Sequence, residues 1–366
     1  VNVYIHIPFC RSKCVYCDFF SQVKDDALPA DYTQAVMAEM QHARQGELAG
    51  AVIETIYIGG GTPTALPASF LCALVQEARK FTVQADAEIT VECNPFTQDE
   101  PLYLDALYAA GVNRLSIGLQ AWQNHLLAML GRTHTNEDFM RTYHAARAAG
   151  FTNINVDLMF ALPTQTLADW EETLAQVLEC RPTHISAYSL TPAEHTPLWD
   201  ALERGTMALP DDETDRLMYH TAQRILSKAG YQRYEISNFA LPGYESRHNT
   251  HTWQRRPYYG FGAGAHSFQA SENIRWNNPE CLTRYLHNPC LRENVIHLSP
   301  AEALSEQIIL GLRLAAGIPY TPQMQQVYAA AVDQLVQQQL LSHQDNRLAL
   351  TPKGTDLANQ VMCAFM

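Results

Sequence analysis

The chain has 366 residues, 47% of them hydrophobic, and a formal net charge of −13. That length holds two domains, or one large domain with an appendage, and the acidic balance argues against a general binder of nucleic acid or of anionic membranes. The nine cysteines make no disulfide framework, no run reaches the ~20 apolar residues of a membrane span, and the start shows no signal-peptide pattern, so a reducing cytoplasmic setting is expected.

Val3–Ile7 reads as a strand that Pro8 stops. Cys10, Cys14 and Cys17 follow with the spacing C-x3-C-x2-C, and Arg11 and Lys13 lie between the first two. Three thiolates this close suit a soft metal site. Structural zinc wants four ligands, so a [4Fe–4S] cluster with one open iron fits better. The alternatives are a zinc site completed from afar and three ordinary buried thiols. The other six cysteines are scattered, and Cys93 ends a predicted strand.

Residues 21–29 read as a polar loop. Asp31 caps a predicted helix to about Gly46, with Tyr32, Val36 and Met40 on one face. The strand Thr55–Ile58 runs into Gly59-Gly-Gly-Thr-Pro63, and a helix covers 68–80. The strand Glu88–Glu92 leads to Cys93-Asn-Pro95 and a helix from Glu100 to Ala110. Arg114–Gln120 is a strand, with helices near 124–129 and 136–149. Asn153–Asp157 is the fifth strand, and its helix starts at Thr166 with Leu167, Trp170, Leu174 and Leu178 at helical spacing. His184–Leu190 is the sixth strand.

Six strand–helix units in series predict parallel βα units in an α/β fold. An incomplete (β/α)6 TIM-like barrel is expected, and counting units does not separate it from a doubly wound sheet. Either way, the site lies at the C-terminal ends of the strands, where each special motif stands. Further on, a helix covers 211–230, residues 231–236 are extended, and the Gly- and aromatic-rich 257–267 is strand or irregular. A capping box, Ser299-Pro-Ala-Glu302, opens a helix to about Ala315. A second helix over 321–339, a hairpin over 340–350 and a helix from Pro352 complete the chain. The expected domains are 1–230, the partial barrel; 231–299, an extension of it; and 300–366, a small helical, winged-helix-like unit. Its few positive charges make it a packing module rather than a nucleic-acid binder.

Consecutive glycines let backbone groups approach a ligand closely, although a glycine triplet is more often a plain turn. Glu92 and Asp157 end strands on one rim. Each is a solvated carboxylate, a helix cap, or an acceptor for ligand hydroxyl or amino groups. Gln120 and Arg132 share that rim, and Arg132 suits a carboxylate of ligand or protein.

The cysteine spacing resembles the radical S-adenosylmethionine (SAM) superfamily, where the open iron binds the amino and carboxylate groups of SAM. The resemblance narrows with Tyr4-Ile-His-Ile-Pro-Phe-Cys10, Ile58-Gly-Gly-Gly-Thr-Pro63, Gly118-Leu-Gln120, Gly131-Arg-Thr-His134, Asp157-Leu-Met159 and Leu162-Pro-Thr-Gln165. Over nearly its whole length the chain resembles the family that joins oxygen-independent coproporphyrinogen III dehydrogenase, HemN, to the heme chaperone HemW. The resemblance implies that Tyr4, Tyr16, Gly60 and Glu92 contact the cluster-bound SAM. Gly61, Thr62, Gln120, Arg132, Asp157 and Thr191 match positions that hold a second SAM in the dehydrogenase.

Two features point to the chaperone branch. The dehydrogenase has a further cysteine where this chain has Phe19, and a long segment before its cluster where this chain has nine residues. Residues 234–240, 242–249 and 258–266 also look like that branch. The family's H-N-x-x-Y-W motif, connected with heme, reads His248-Asn-Thr-His-Thr-Trp253, with Thr252 in place of the tyrosine. Ala161 replaces a usual glycine, and the usual glutamate is displaced by one within Thr191–Thr196. His248 is therefore the candidate axial ligand, on an expected loop between Gly243 and Pro257, with His251 and His266 competing. Its alternative role is a structural hydrogen bond to the loop backbone. Trp253 packs on a porphyrin face or in the core.

The resemblance implies a chaperone that binds heme and hands it to an unidentified acceptor protein, on a [4Fe–4S] and SAM scaffold. A homodimer is one assembly it allows, and neither nucleic acid nor stable membrane insertion is expected. The second reading is an enzyme in which SAM is cleaved to a 5′-deoxyadenosyl radical that attacks a porphyrinogen. Its cofactor residues are present, but no substrate residues are identifiable.

Overall fold

A computed structural model describes residues 1–23, 28–95 and 102–366. The loop expected over 21–29 lies partly outside those residues, as does the helix start expected at Glu100. Six strands, β1 (Asn2–Ile7), β2 (Val52–Gly60), β3 (Thr82–Cys93), β4 (Arg114–Gln120), β5 (Asn153–Phe160) and β6 (His184–Ser189), pair in parallel in chain order. Because the order never reverses, the sheet is wound in one direction, as in a barrel, and lacks the switch point of a doubly wound sheet.

The sheet continues past both ends of this series to twelve strands. Tyr258–Phe261 lies parallel to β1 on its other side, and three antiparallel strands follow, His266–Gln269, Ile274–Asn277 and Glu293–His297. At the opposite flank Asn238–Ala240 runs antiparallel beside β6, and Gln232–Arg233 antiparallel beside Asn238–Ala240. The stretch 257–267 thus yields two strands joined by a turn, whereas only Gln232–Arg233 is strand within 231–236.

Successive residues of a strand face opposite ways. One set, including Val3, Ile5, Ile58, Val91, Ile117 and Val156, belongs to the main apolar core, each fully buried. Helices supply the rest of that core. One of them, Leu167–Cys180, starts in a Thr166–Asp169 capping box and buries Trp170, Leu174 and Val177. The alternate set is polar and bonded to itself across strands. Asn155 Nδ2 donates to Ser116 Oγ at 2.7 Å, Ser116 Oγ to Asp157 at 2.9 Å, and His184 Nδ1 meets Asn155 Oδ1 at 2.6 Å. The apolar core therefore sits between sheet and helices, and the other face of the sheet is free for chemistry.

Near the C-terminus, Leu304, Ile308, Met324, Leu335, Leu348 and Phe365 form a second apolar cluster. Helices Pro300–Gly311 and Pro322–Gln337 and a small three-stranded sheet build it. The hairpin turns at Asp345 and Asn346, both with positive φ. Among the described residues no helix is long and apolar enough to cross a membrane.

Candidate cofactor site

The site begins where β1 and β2 end. Gly61 N–H donates to Ile7 O at 2.8 Å and Thr62 N–H to Phe9 O at 2.7 Å, which sews the glycine loop to the cysteine loop. Gly61 has to be glycine, since a Cβ there would lie 2.8 Å from Phe9 O and 2.9 Å from Cys10 Sγ. From the other side, Val15 N–H bonds Leu130 O at 3.1 Å, and Leu198 N–H bonds Val15 O at 2.9 Å.

A cavity of about 580 Å³ opens over these strand ends. Cys10, Cys14, Cys17, Tyr16, Gly60, Gly61 and Thr62 line one part of it, and Glu92, Gln120, Arg132, Asp157 and Thr191 the rest. The strand order expected from the sequence put Glu92, Gln120, Arg132 and Asp157 on one rim, and the family resemblance implied Tyr16, Gly60, Gly61, Thr62 and Thr191. All three thiols are free, and burial pushes those of Cys10 and Cys17 up. Thr62 Oγ1 donates to Cys10 Sγ at 3.6 Å and Arg132 Nη1 to Cys14 Sγ at 3.8 Å, so donors and one positive charge already face the sulfurs. Among the described residues no three His, Cys, Asp or Glu side chains converge as the ligands of one ion would. A cubane asks less of the thiolates, because each bonds a different iron. Soft sulfurs on one cavity wall, with donors facing them, fit that group.

Glu92 is already engaged. Its Oε1 accepts from Tyr57 hydroxyl at 2.8 Å and its Oε2 from Gly60 N–H at 3.0 Å. Burial pushes its carboxyl up to about 7; those two bonds oppose the shift and the nearby Asp157 adds to it. Asp157 accepts from Ser116 Oγ at 2.9 Å and Asn155 Nδ2 at 2.8 Å. Arg132 Nη2 bonds Gly118 O at 2.9 Å and also Asn94 Oδ1, while its Nε has no partner among the described residues. Gln120 holds φ +73° and accepts from Tyr188 hydroxyl at 3.1 Å. Thr191 is exposed at the lip.

Two expected site residues lie elsewhere. Tyr4 is not in the cavity wall; its hydroxyl meets His6 Nδ1 at 2.9 Å and its ring stacks on Tyr57 at 6.2 Å. His248 is not on a loop. It sits in a short helix, Arg247–Trp253, which is started by the Ser246 cap and by Glu88. Glu88 accepts from Arg247 N–H at 2.9 Å and His248 N–H at 3.0 Å. The imidazole is 9% exposed, its Nδ1 meets Thr55 Oγ1 at 2.8 Å, and burial pushes it down to about 4. A structural hydrogen bond is thus formed, but to the Thr55 side chain on β2 and not to a loop backbone. His251 is half-buried between Asn2 and Arg256, whereas His266 is exposed. Trp253 packs under the Arg313 guanidinium at 4.3 Å. Thr252 Oγ1 bonds His248 O at 3.1 Å, within the helix. Ala161 holds φ +56°, a left-handed conformation that explains why glycine suits its place.

The sequence reading missed Tyr57, Ser116, Asn94 and Tyr188, which also line the cavity. Period-2 spacing held the signal for two of them, since Tyr57 precedes Gly59, and Ser116 precedes Gly118, by two residues on the same strand face.

The singly wound partial barrel, its glycine loop and the three-thiol rim define a radical SAM protein, and residues 4–177 match the Radical SAM superfamily model. Residues 298–357 match the HemN C-terminal domain model. The chain is 35% identical to the heme chaperone HemW of Lactococcus lactis subsp. lactis, over 100% of this chain and 97% of that one. With the HemW of Bacillus subtilis it shares 33% identity, over 100% and 99%. The solved structure of Escherichia coli coproporphyrinogen III oxidase, HemN, matches with a TM-score of 0.85 at 26% identity, over 100% of this chain and 89% of that one. The chain belongs to the HemW family.

Proposed function

We propose that the protein is a heme chaperone, which binds heme and transfers it to an acceptor protein on a [4Fe–4S]- and SAM-binding scaffold. Phe19 carries the reading. It stands at the cavity wall, 65% exposed, where the dehydrogenase has its further cysteine. The full-length identity to HemW proteins supports the same branch.

In this reading Cys10, Cys14 and Cys17 hold the cluster, which supplies electrons to SAM when bound. Gly60, Tyr16 and Glu92 face the cationic methionyl end, and Glu92 brings the negative charge. Gly61, Thr62, Gln120, Arg132, Asp157 and Thr191 form the remaining wall, where a second SAM would lie. Tyr4 supports this site from beneath, through His6 and Tyr57. His248 remains the proposed axial ligand, and its burial means that helix Arg247–Trp253 has to open for heme. The proposed division of labour is cofactors on 1–230, heme on 231–299 and a packing module on 300–366. The proposed compartment is the cytoplasm.

The test is anaerobic reconstitution followed by heme titration and a coproporphyrinogen assay with SAM and reductant. Stoichiometric heme binding without turnover is expected. Conversion to protoporphyrinogen without heme binding would overturn the proposal in favour of the enzyme.

A further inference from the structure

We propose that Tyr57 couples the cofactor cavity to the helix that carries His248, so that a ligand in one place changes affinity at the other. Its heme arm rests on the chaperone reading above.

Strand β2 turns Thr55, Tyr57 and Gly59 to one face. Tyr57 stands between the two places. On one side it lines the cavity, and its hydroxyl donates to Glu92 Oε1 at 2.8 Å. On the other its ring lies 5.0 Å from the His248 ring, centroid to centroid, with 31° between the planes. Thr55, two residues earlier, meets Nδ1 of the same histidine at 2.8 Å. One strand face therefore contacts both the rim carboxylate and the imidazole.

The contact is tight rather than slack. Glu92 Oε2 is taken by Gly60 N–H at 3.0 Å, so both oxygens are engaged before a ligand arrives. An ammonium or hydroxyl donor that reaches Glu92 shares or displaces the Tyr57 hydroxyl. A phenol left without an acceptor in a desolvated site is costly, and turning the ring restores a partner. That turn acts directly on His248, which is 9% exposed and fixed by Thr55 at Nδ1 and by Glu88 at its N–H. Its helix is seven residues long and is tied to its surroundings at other points as well, by Arg247 to Asp86, by His251 to Asn2 and by Trp253 under Arg313, so a displaced His248 strains the whole segment. In the other direction, drawing the helix outward removes the packing that holds the Tyr57 ring. Linkage requires the two effects to be equal in size.

The test uses cluster-loaded, heme-free protein, wild type and Tyr57→Phe. Phenylalanine keeps the ring against His248 and removes the bond to Glu92. Hydrogen exchange of residues 247–253 is measured with and without SAM. SAM is expected to change exchange there in the wild type and not in Tyr57→Phe. In parallel, SAM is expected to shift the heme Kd about fivefold or more in the wild type and to leave it unshifted in the variant. No SAM response in the wild type, or an equal response in both proteins, overturns the coupling. A response in exchange without any heme binding upholds the coupling and removes the chaperone reading instead. Should Tyr57→Phe fail to take up SAM, His248→Ala decides by the exchange of residues 249–253, because it removes the ring that Tyr57 packs against without touching Glu92. A wild-type response there overturns the proposal, and its loss supports it.

Discussion

Replacing Gly60 by alanine tests the geometry of the glycine loop most directly. Gly60 holds φ +114°, and a Cβ there would sit 2.6 Å from Cε1 and Nδ1 of His6. The added methyl therefore points at the His6 ring behind the loop. His6 has no room to yield, since Tyr4 hydroxyl holds Nδ1 at 2.9 Å and Phe20 O holds Nε2 at 2.8 Å. The left-handed backbone costs a non-glycine residue about 1–2 kcal/mol. Forcing a methyl into a filled site adds about 1–3 kcal/mol. Together, Gly60→Ala is expected to lose about 2–5 kcal/mol in urea denaturation. Gly230 separates the two contributions: it holds φ +93° with nothing within 4 Å of an added Cβ, so Gly230→Ala reports the backbone cost alone. Because Gly60 N–H bonds Glu92, SAM affinity is expected to fall as well. A Gly60→Ala protein no less stable than Gly230→Ala would refute the clash with His6.

Alanine at Cys10, Cys14 or Cys17 is expected to abolish the [4Fe–4S] absorbance after anaerobic reconstitution, whereas alanine at Cys72, Cys281 or Cys363 leaves it intact; a full cluster in Cys14→Ala would remove the assignment. His248→Ala loses the Thr55 bond and the Tyr57 packing, so a stability loss of about 1–3 kcal/mol is expected by denaturation. The same variant is expected to bind heme more weakly with an altered Soret band at normal iron content; an unchanged spectrum points to His251 or His266. Glu39 is buried among Tyr285, Asn278 and Gly262 N–H, and burial pushes its carboxyl up to about 8, with those bonds opposing. A raised folded-state value means that the native protein holds the proton more tightly than the unfolded chain. The associated stability is full below pH ~4.5 and is lost as pH rises to about 8. Wild-type stability relative to Glu39→Gln should therefore decline between pH 5 and pH 8.5; a flat difference would show that Glu39 titrates normally.

The strands were legible because their apolar residues alternate or run together, and the rim was legible because parallel strands put their C-terminal ends on one side. Glu92, Asp157 and Gln120 fell into place for that reason. The helix around His248 was not legible, because its first N–H groups are satisfied by Glu88, far away in sequence. Gly243 and Pro257 bracket the segment and gave a loop signal that this distant carboxylate overrides. Arg132 was placed correctly on the rim, but its engagement with Asn94 and Gly118 depends on a fold-back that spacing does not encode. Tyr4 shares the motif with Cys10 yet points beneath the cavity, since strand alternation sends it toward His6 and Tyr57.

The position of β1 also has a consequence for how the protein is made. Of the strands in this sheet it is the first in chain order, and it lies in the interior between β2 and Tyr258–Phe261. Its second neighbour, Tyr258–Phe261, follows it in the chain only after all the other parallel strands of the series. At ~5–20 residues per second that delay is on the order of tens of seconds. Throughout it the cysteine loop hangs from a half-paired strand. The glycine loop that covers Cys10 is available early, but the last wall of the first strand arrives late. The strand that carries the cysteine loop is thereby among the last in the sheet to gain both of its neighbours.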